Sequence, residues 1–88
     1  MYTIKNEIIE YLIKFVDETV CVWSNSSNEH IIGQCTQLKL DNTNSNHLTM
    51  VITDENLVEH VYDIWEYNYK THTWYDGIRK KDFSIKRV

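Results

Sequence analysis

Asp54-Glu55-Asn56-Leu57-Val58-Glu59-His60-Val61-Tyr62-Asp63-Ile64-Trp65-Glu66-Tyr67-Asn68-Tyr69 decides the fold, because this stretch is rich in Val, Ile, Tyr and Trp and reads in two ways. As a strand, its odd set mixes Leu57, Val61 and Trp65 with Glu59 and Asp63, and its even set mixes Tyr62 and Ile64 with His60 and Glu66. Neither face is clean. As a helix, Leu57, Val58, Val61, Tyr62, Ile64 and Trp65 share one side while Glu59, His60, Asp63 and Glu66 share the other, the 3.6-residue pattern of an amphipathic helix. Thr53 as N-cap, followed by Asp54 and Glu55 in the first turn, suits the positive end of a helix dipole. The pattern predicts a helix over 54–69.

Working back from it, His47 to Thr53 alternates Leu48, Met50 and Ile52 against His47, Thr49 and Thr53, and reads as a strand. His30 to Leu40 reads as another, with Ile32, Leu38 and Leu40 in one alternate set and Gly33 as a bulge or close-approach point. Glu18 to Ser24, with Val20 and Val22 on one face and Cys21 and Trp23 on the other, is a third. The runs Asn25-Ser26-Ser27-Asn28 and Asp41-Asn42-Thr43-Asn44-Ser45-Asn46 supply the turns, since short polar side chains satisfy local backbone groups. At the start, Ile4, Ile8, Tyr11, Leu12, Phe15 and Val16 fall on one side of a helical wheel, with Thr3 as N-cap and Glu10 and Lys14 paired at i,i+4.

After Tyr69, a short strand at Thr73 to Tyr75, a turn at Asp76-Gly77 and an edge strand through Phe83 and Ile85 fit the basic tail. The expected fold is α+β in one domain, 1–88: a three-stranded antiparallel meander with two helices on one face, in the order α-β-β-β-α, plus the C-terminal tail. The other sheet face, carrying Gln37, Lys39, His47 and Thr49, is left open for contact.

The chain has 88 residues, enough for one core, and a net charge of −4 that conceals an asymmetry. Up to Tyr69, three basic residues face eleven acidic ones, a balance of −8; from Lys70 on, six face two, a balance of +4. Such polarity serves a partner, a nucleic acid or self-association, or lets the tail lie across its own body. No basic-then-apolar leader and no membrane-length apolar run is present, so a cytoplasmic protein is expected. With only Cys21 and Cys35, reduced thiols are the default, although a hairpin placing the two opposite each other would allow a cross-strand disulfide.

Catalytic and cofactor signals are missing. His30, His47, His60 and His72 stand in no zinc-ligand spacing, two isolated glycines build no phosphate loop, and no cysteine carries a nucleophile signature. A non-enzymatic binding protein is the expectation, with no cofactor and no metal. Its contact surface is the acidic helix face, Asp54, Glu55, Glu59, Asp63 and Glu66, together with the aromatics Tyr67, Tyr69, Trp74 and Tyr75. An alternative is a nucleic-acid-binding module in which Lys70, Arg79, Lys80 and Lys81 neutralise phosphates and the same aromatics stack on bases. A homodimer in which acidic helices meet a partner chain's basic tails is a third reading.

The α-β-β-β-α order is also that of double-stranded-RNA-binding domains, but Asp54-Glu55 stands where those domains start their second helix with basic residues, which argues against duplex RNA. In length, in the order of a helix followed by a three-stranded meander with Asn-rich turns, and in the helix opening Thr53-Asp54-Glu55-Asn56-Leu57-Val58-Glu59, the chain resembles small phage anti-CRISPR proteins that inhibit a CRISPR nuclease by occupying its DNA-recognition surface. The resemblance implies an inhibitor or accessory factor of phage or mobile-element origin, acting on a host nucleic-acid-processing protein. It also implies DNA mimicry by Asp54, Glu55, Glu59, Asp63 and Glu66; the basic tail departs from that pattern.

Overall fold

The computed structural model describes residues 6–24, 30–40, 48–68 and 70–88. These form one helix, α1 (Asn6–Ile13), and six strands: β1 (Thr19–Trp23), β2 (His30–Leu40), β3 (Leu48–Asp54), β4 (Glu59–Asn68), β5 (Thr73–Asp76) and β6 (Lys81–Arg87). Each strand pairs antiparallel with the next, and β6 returns to β1 through Val20↔Arg87, Cys21↔Lys86, Val22↔Ile85 and Trp23↔Ser84. The sheet is therefore a closed barrel. The α+β expectation, two helices on one face of a three-stranded meander, is overturned. Closure leaves no long sheet edge exposed and wraps the apolar face of every strand around one core.

The second helix does not exist. Residues 54–58 turn the chain: Asp54 Oδ1 accepts the N–H groups of Asn56 (2.9 Å) and Val58 (3.0 Å), and Leu57 adopts φ 63°. A short acidic side chain accepting a backbone N–H two residues on serves an Asx turn as well as a helix start, so the capping signal was ambiguous. From Glu59 the chain is extended and hydrogen-bonded to β3 and β5.

The mixed strand pattern has two local causes. His60 points inward at the barrel end, where its Nε2 meets Asp54 Oδ2 at 2.9 Å. The register then slips between Ile64 and Glu66, which pair with the consecutive β5 residues Asp76 and Tyr75. Trp65 is the extra residue of a β-bulge, and a bulge reverses the alternation beyond it. Tyr62 and Ile64 point in before it, Tyr67 packs against the core after it, and Glu66 is exposed.

A second bulge has the same effect in β2, between Cys35 and Gln37. Ile32, expected in one set with Leu38 and Leu40, instead faces outward at 50% exposure, while Leu38 packs on the core. Gly33 is a close-approach point rather than the bulge: a Cβ there would overlap the Thr53 carbonyl of β3.

Val20, Val22, Leu48, Met50, Ile52, Tyr62, Ile64, Trp74, Phe83 and Ile85 line the core, joined by Leu12 and Phe15 from α1 and the following turn. Fully burying an aliphatic or aromatic side chain of this size contributes about 1.5–3 kcal/mol. Tyr11 stacks on Trp74 (centroids 5.8 Å, 24°), and Val16 bridges Cys35, so α1 sits where β1 begins and β6 ends. The N-cap assigned to Thr3, both Asn-rich turns, His47 and Tyr69 lie outside the described residues.

The tail is no tail. Lys70 lies in the turn between β4 and β5, and the other basic residues belong to β6 and the turn before it, which lock the barrel shut. Cys21 faces outward between Ile32 and Lys86, whereas Cys35 is buried and its thiol is pushed up by loss of solvation; both are free, and the cross-strand pairing does not occur. No described helix is long and apolar enough to cross a membrane.

Candidate functional site

The candidate site grows from the bulge at Trp65. Trp65 follows the inward Ile64 and so faces out, the bulge leaves Glu66 exposed next to it, and three neighbours fix the indole there. Its Nε1–H donates to Asp63 Oδ2 at 2.8 Å, its ring meets Tyr75 edge-on (6.0 Å, 68°), and its indole lies over Gly77, where a Cβ would overlap the ring. Trp65 nonetheless stays 38% exposed. Val61 and Ile78, both exposed, continue the apolar surface along β4 and the turn after β5.

Carboxylates border this surface. Glu59 and Glu66 are exposed on β4, and Asp63 is half-buried beneath the indole. Of the residues expected to make a protein contact, Glu59, Asp63, Glu66 and Tyr75 thus stand on the outer side of β4 and β5. Asp54 is separated from them, turned inward against His60, and Glu55 is exposed in the turn. The single acidic helix face is replaced by an aromatic centre with an acidic border.

Trp74 and Tyr67 are not available for contact in the way the sequence suggests. Trp74 is buried in the core, and Tyr67 packs against it at 4.4 Å between centroids while its hydroxyl meets His72 Nδ1 at 3.0 Å. Tyr69 lies outside the described residues. Sequence reasoning missed Trp65 as a contact residue by assigning it to a buried helix side. Its signal is the pair of bulky residues, Ile64 and Trp65, that no strict alternation can bury together.

The basic residues divide differently. Arg79 is committed to the barrel: its Nη1 donates to Asp76 Oδ2 (2.8 Å) and to the Val61 carbonyl (2.7 Å), and its guanidinium lies 4.1 Å over the Tyr62 ring. Asp76, only 1% exposed, also accepts the N–H groups of Asp63 (3.1 Å) and Ile78 (3.0 Å) on Oδ1. This network closes the barrel end opposite α1. Lys70 is exposed in the β4–β5 turn, while Lys80 is exposed in the β5–β6 turn and Lys81 half-buried at the start of β6, at the other end of the barrel, so the three do not form one cationic cluster.

Among the described residues no three His, Cys, Asp or Glu side chains come together as a metal site. Comparison with protein-family models, curated proteins and solved structures returned no match.

Proposed function

We propose that the protein is a small non-enzymatic binding factor that docks a protein partner against the outer face of β4 and β5, with Trp65 as anchor. The observation that carries this reading is the state of Trp65: more than a third exposed, yet held by Asp63, Tyr75 and Gly77. Freezing a mobile side chain on association costs about 0.5–1.5 kcal/mol, and a ring already fixed avoids most of it. Tryptophan is also over-represented among residues that dominate binding energy. Asp63 and Glu66 beside it, with Glu59 farther along β4, favour a partner whose contact surface is basic, and steer its approach.

Affinity capture from host lysate, run in parallel with wild type, Trp65→Ala and Glu66→Lys, tests this. A stoichiometric protein retained by wild type and released by both variants is expected, with Trp65→Ala weakening the complex by about 2 kcal/mol, roughly thirtyfold in affinity. No stoichiometric protein, or one held equally by all three forms, refutes it.

A further inference from the structure

We infer that a second site, the groove between α1 and β6, binds single-stranded nucleic acid. The groove is open, about 290 Å³, and is lined by Tyr11, Lys14, Phe15, Ile85, Lys86 and Arg87: three cations, an exposed aromatic ring and no carboxylate. It owes nothing to the β4–β5 surface and shares no residue with it.

Strand pairing builds the site. β6 places Lys86 opposite Cys21 on the outer face of β1, and its Nζ lies 5.7 Å from the centroid of the Trp23 ring. On the groove side, Lys14 Nζ lies 5.9 Å from the Tyr11 ring, and Arg87 reaches the Lys14 carbonyl at 3.4 Å. Tyr11 is 48% exposed although one face of its ring rests on Trp74. The exposed Tyr11 ring therefore lies beside a cluster of three cations, one of which, Lys86, reaches outward over the half-buried Trp23 ring. Sequence-tolerant binding of single strands uses this chemistry: cations follow the phosphates, and bases stack on aromatic faces.

The net negative charge of the chain does not forbid it, because the groove lining itself holds three cations and no carboxylate. In the closed order, β6 lies three strands from β3 by either route, so Asp54, Glu55 and Glu59 at the β3–β4 turn are remote from the groove. The molecule measures 37 × 26 × 20 Å, and charge is screened over about 8 Å at physiological salt. The nearer carboxylates, Glu10, Asp17, Glu18 and Asp82, are exposed and outside the groove lining.

The test is fluorescence anisotropy of labelled oligo-dT and oligo-rU titrated with the intact protein across a salt series. Binding is expected, with a log–log salt slope of about −2, as three cations at about −0.7 per phosphate require. Lys86→Glu and Lys14→Glu, both surface changes verified as folded by circular dichroism, each lower affinity at least tenfold. Tyr11→Ala weakens binding while leaving the salt slope unchanged. The DNA and RNA arms show which polymer is preferred. Absence of binding to both at low salt, tighter binding to a duplex, or affinity indifferent to Lys86→Glu overturns the assignment. So does heparin binding equally well and insensitive to Tyr11→Ala, which marks a charge surface without stacking.

Discussion

The Trp65 indole lies against the α-carbon of Gly77, filling the space that any larger residue at 77 would need for its Cβ. Gly77 lacks a positive φ, so glycine is required here by the approach of the ring and not by the backbone. The contact ties the bulge in β4 to the turn after β5, and Gly77 N–H donating to the Asp63 carbonyl at 2.7 Å fixes the same junction.

Gly77→Ala is expected to expel the indole rather than unfold the barrel. Because Trp65 is at the surface, the ring can swing out, so the stability cost stays within about 1 kcal/mol. Loss of the Asp63 hydrogen bond should shift the Trp65 fluorescence contribution to the red, measured as the difference from Trp65→Phe. An unchanged difference spectrum means that the ring does not rest on Gly77.

Gly33→Ala is expected to behave in the opposite way. There the obstacle is the Thr53 carbonyl and the Asp54 α-carbon, backbone atoms of a paired strand that cannot rotate aside. Forcing β2 and β3 apart should cost about 2–3 kcal/mol, read as a lowered urea midpoint with an unchanged slope. A cost below that of Gly77→Ala contradicts the close approach.

These glycines mark the limit of what the sequence discloses. Leu48, Met50 and Ile52 alternate without interruption, and their strand is visible by inspection, as is the amphipathic run that places Leu12 and Phe15 in the core. β4 was hidden because its alternation breaks at Trp65, and a bulge is a property of the pair of strands and not of either alone. Asp54 deepened the ambiguity, since its carboxylate binds two backbone N–H groups in a turn much as it would at a helix start. Barrel closure depends on β6 meeting β1, a contact between the two ends of the chain that no local pattern encodes. The candidate site is legible in part: the sequence marks Asp63, Glu66 and Tyr75 as contact residues, but its helical pattern puts Trp65, which Asp63 and Tyr75 hold, on the apolar side.

The Asp76 network yields a prediction of unequal costs. Asp76 is buried and accepts two backbone N–H groups as well as the guanidinium of Arg79, which is itself partly exposed. Asp76→Ala strands all three donors and should cost about 3 kcal/mol, whereas Arg79→Ala, which leaves the carboxylate its two backbone partners, should cost about 1–2 kcal/mol. Chemical denaturation of both variants checks the order. If Arg79→Ala proves the more damaging, its cover of Tyr62 and not the carboxylate is the stabilising element.

Acid stability should depend on Asp54 and His60. The hydrogen bond from His60 holds the Asp54 carboxyl below the usual carboxylate range, the Val58 N–H adds to the effect, and the Asn56 N–H and the imidazole's positive charge contribute less. A carboxyl whose folded-state pKa lies below its unfolded value of about 3.9 stabilises the fold above that pH and loses its contribution as the pH falls through the folded value. His60→Ala removes the largest cause, so the Asp54 titration followed by carbon NMR should move up toward the ordinary range. The fall in unfolding free energy on acidification below about pH 4 should become shallower, because less of the stability is linked to that carboxyl. Both readouts are required: an altered acid limb with an unmoved Asp54 titration traces the linkage to another carboxylate, and an unmoved titration by itself shows that the 2.9 Å contact does not set the acidity of Asp54.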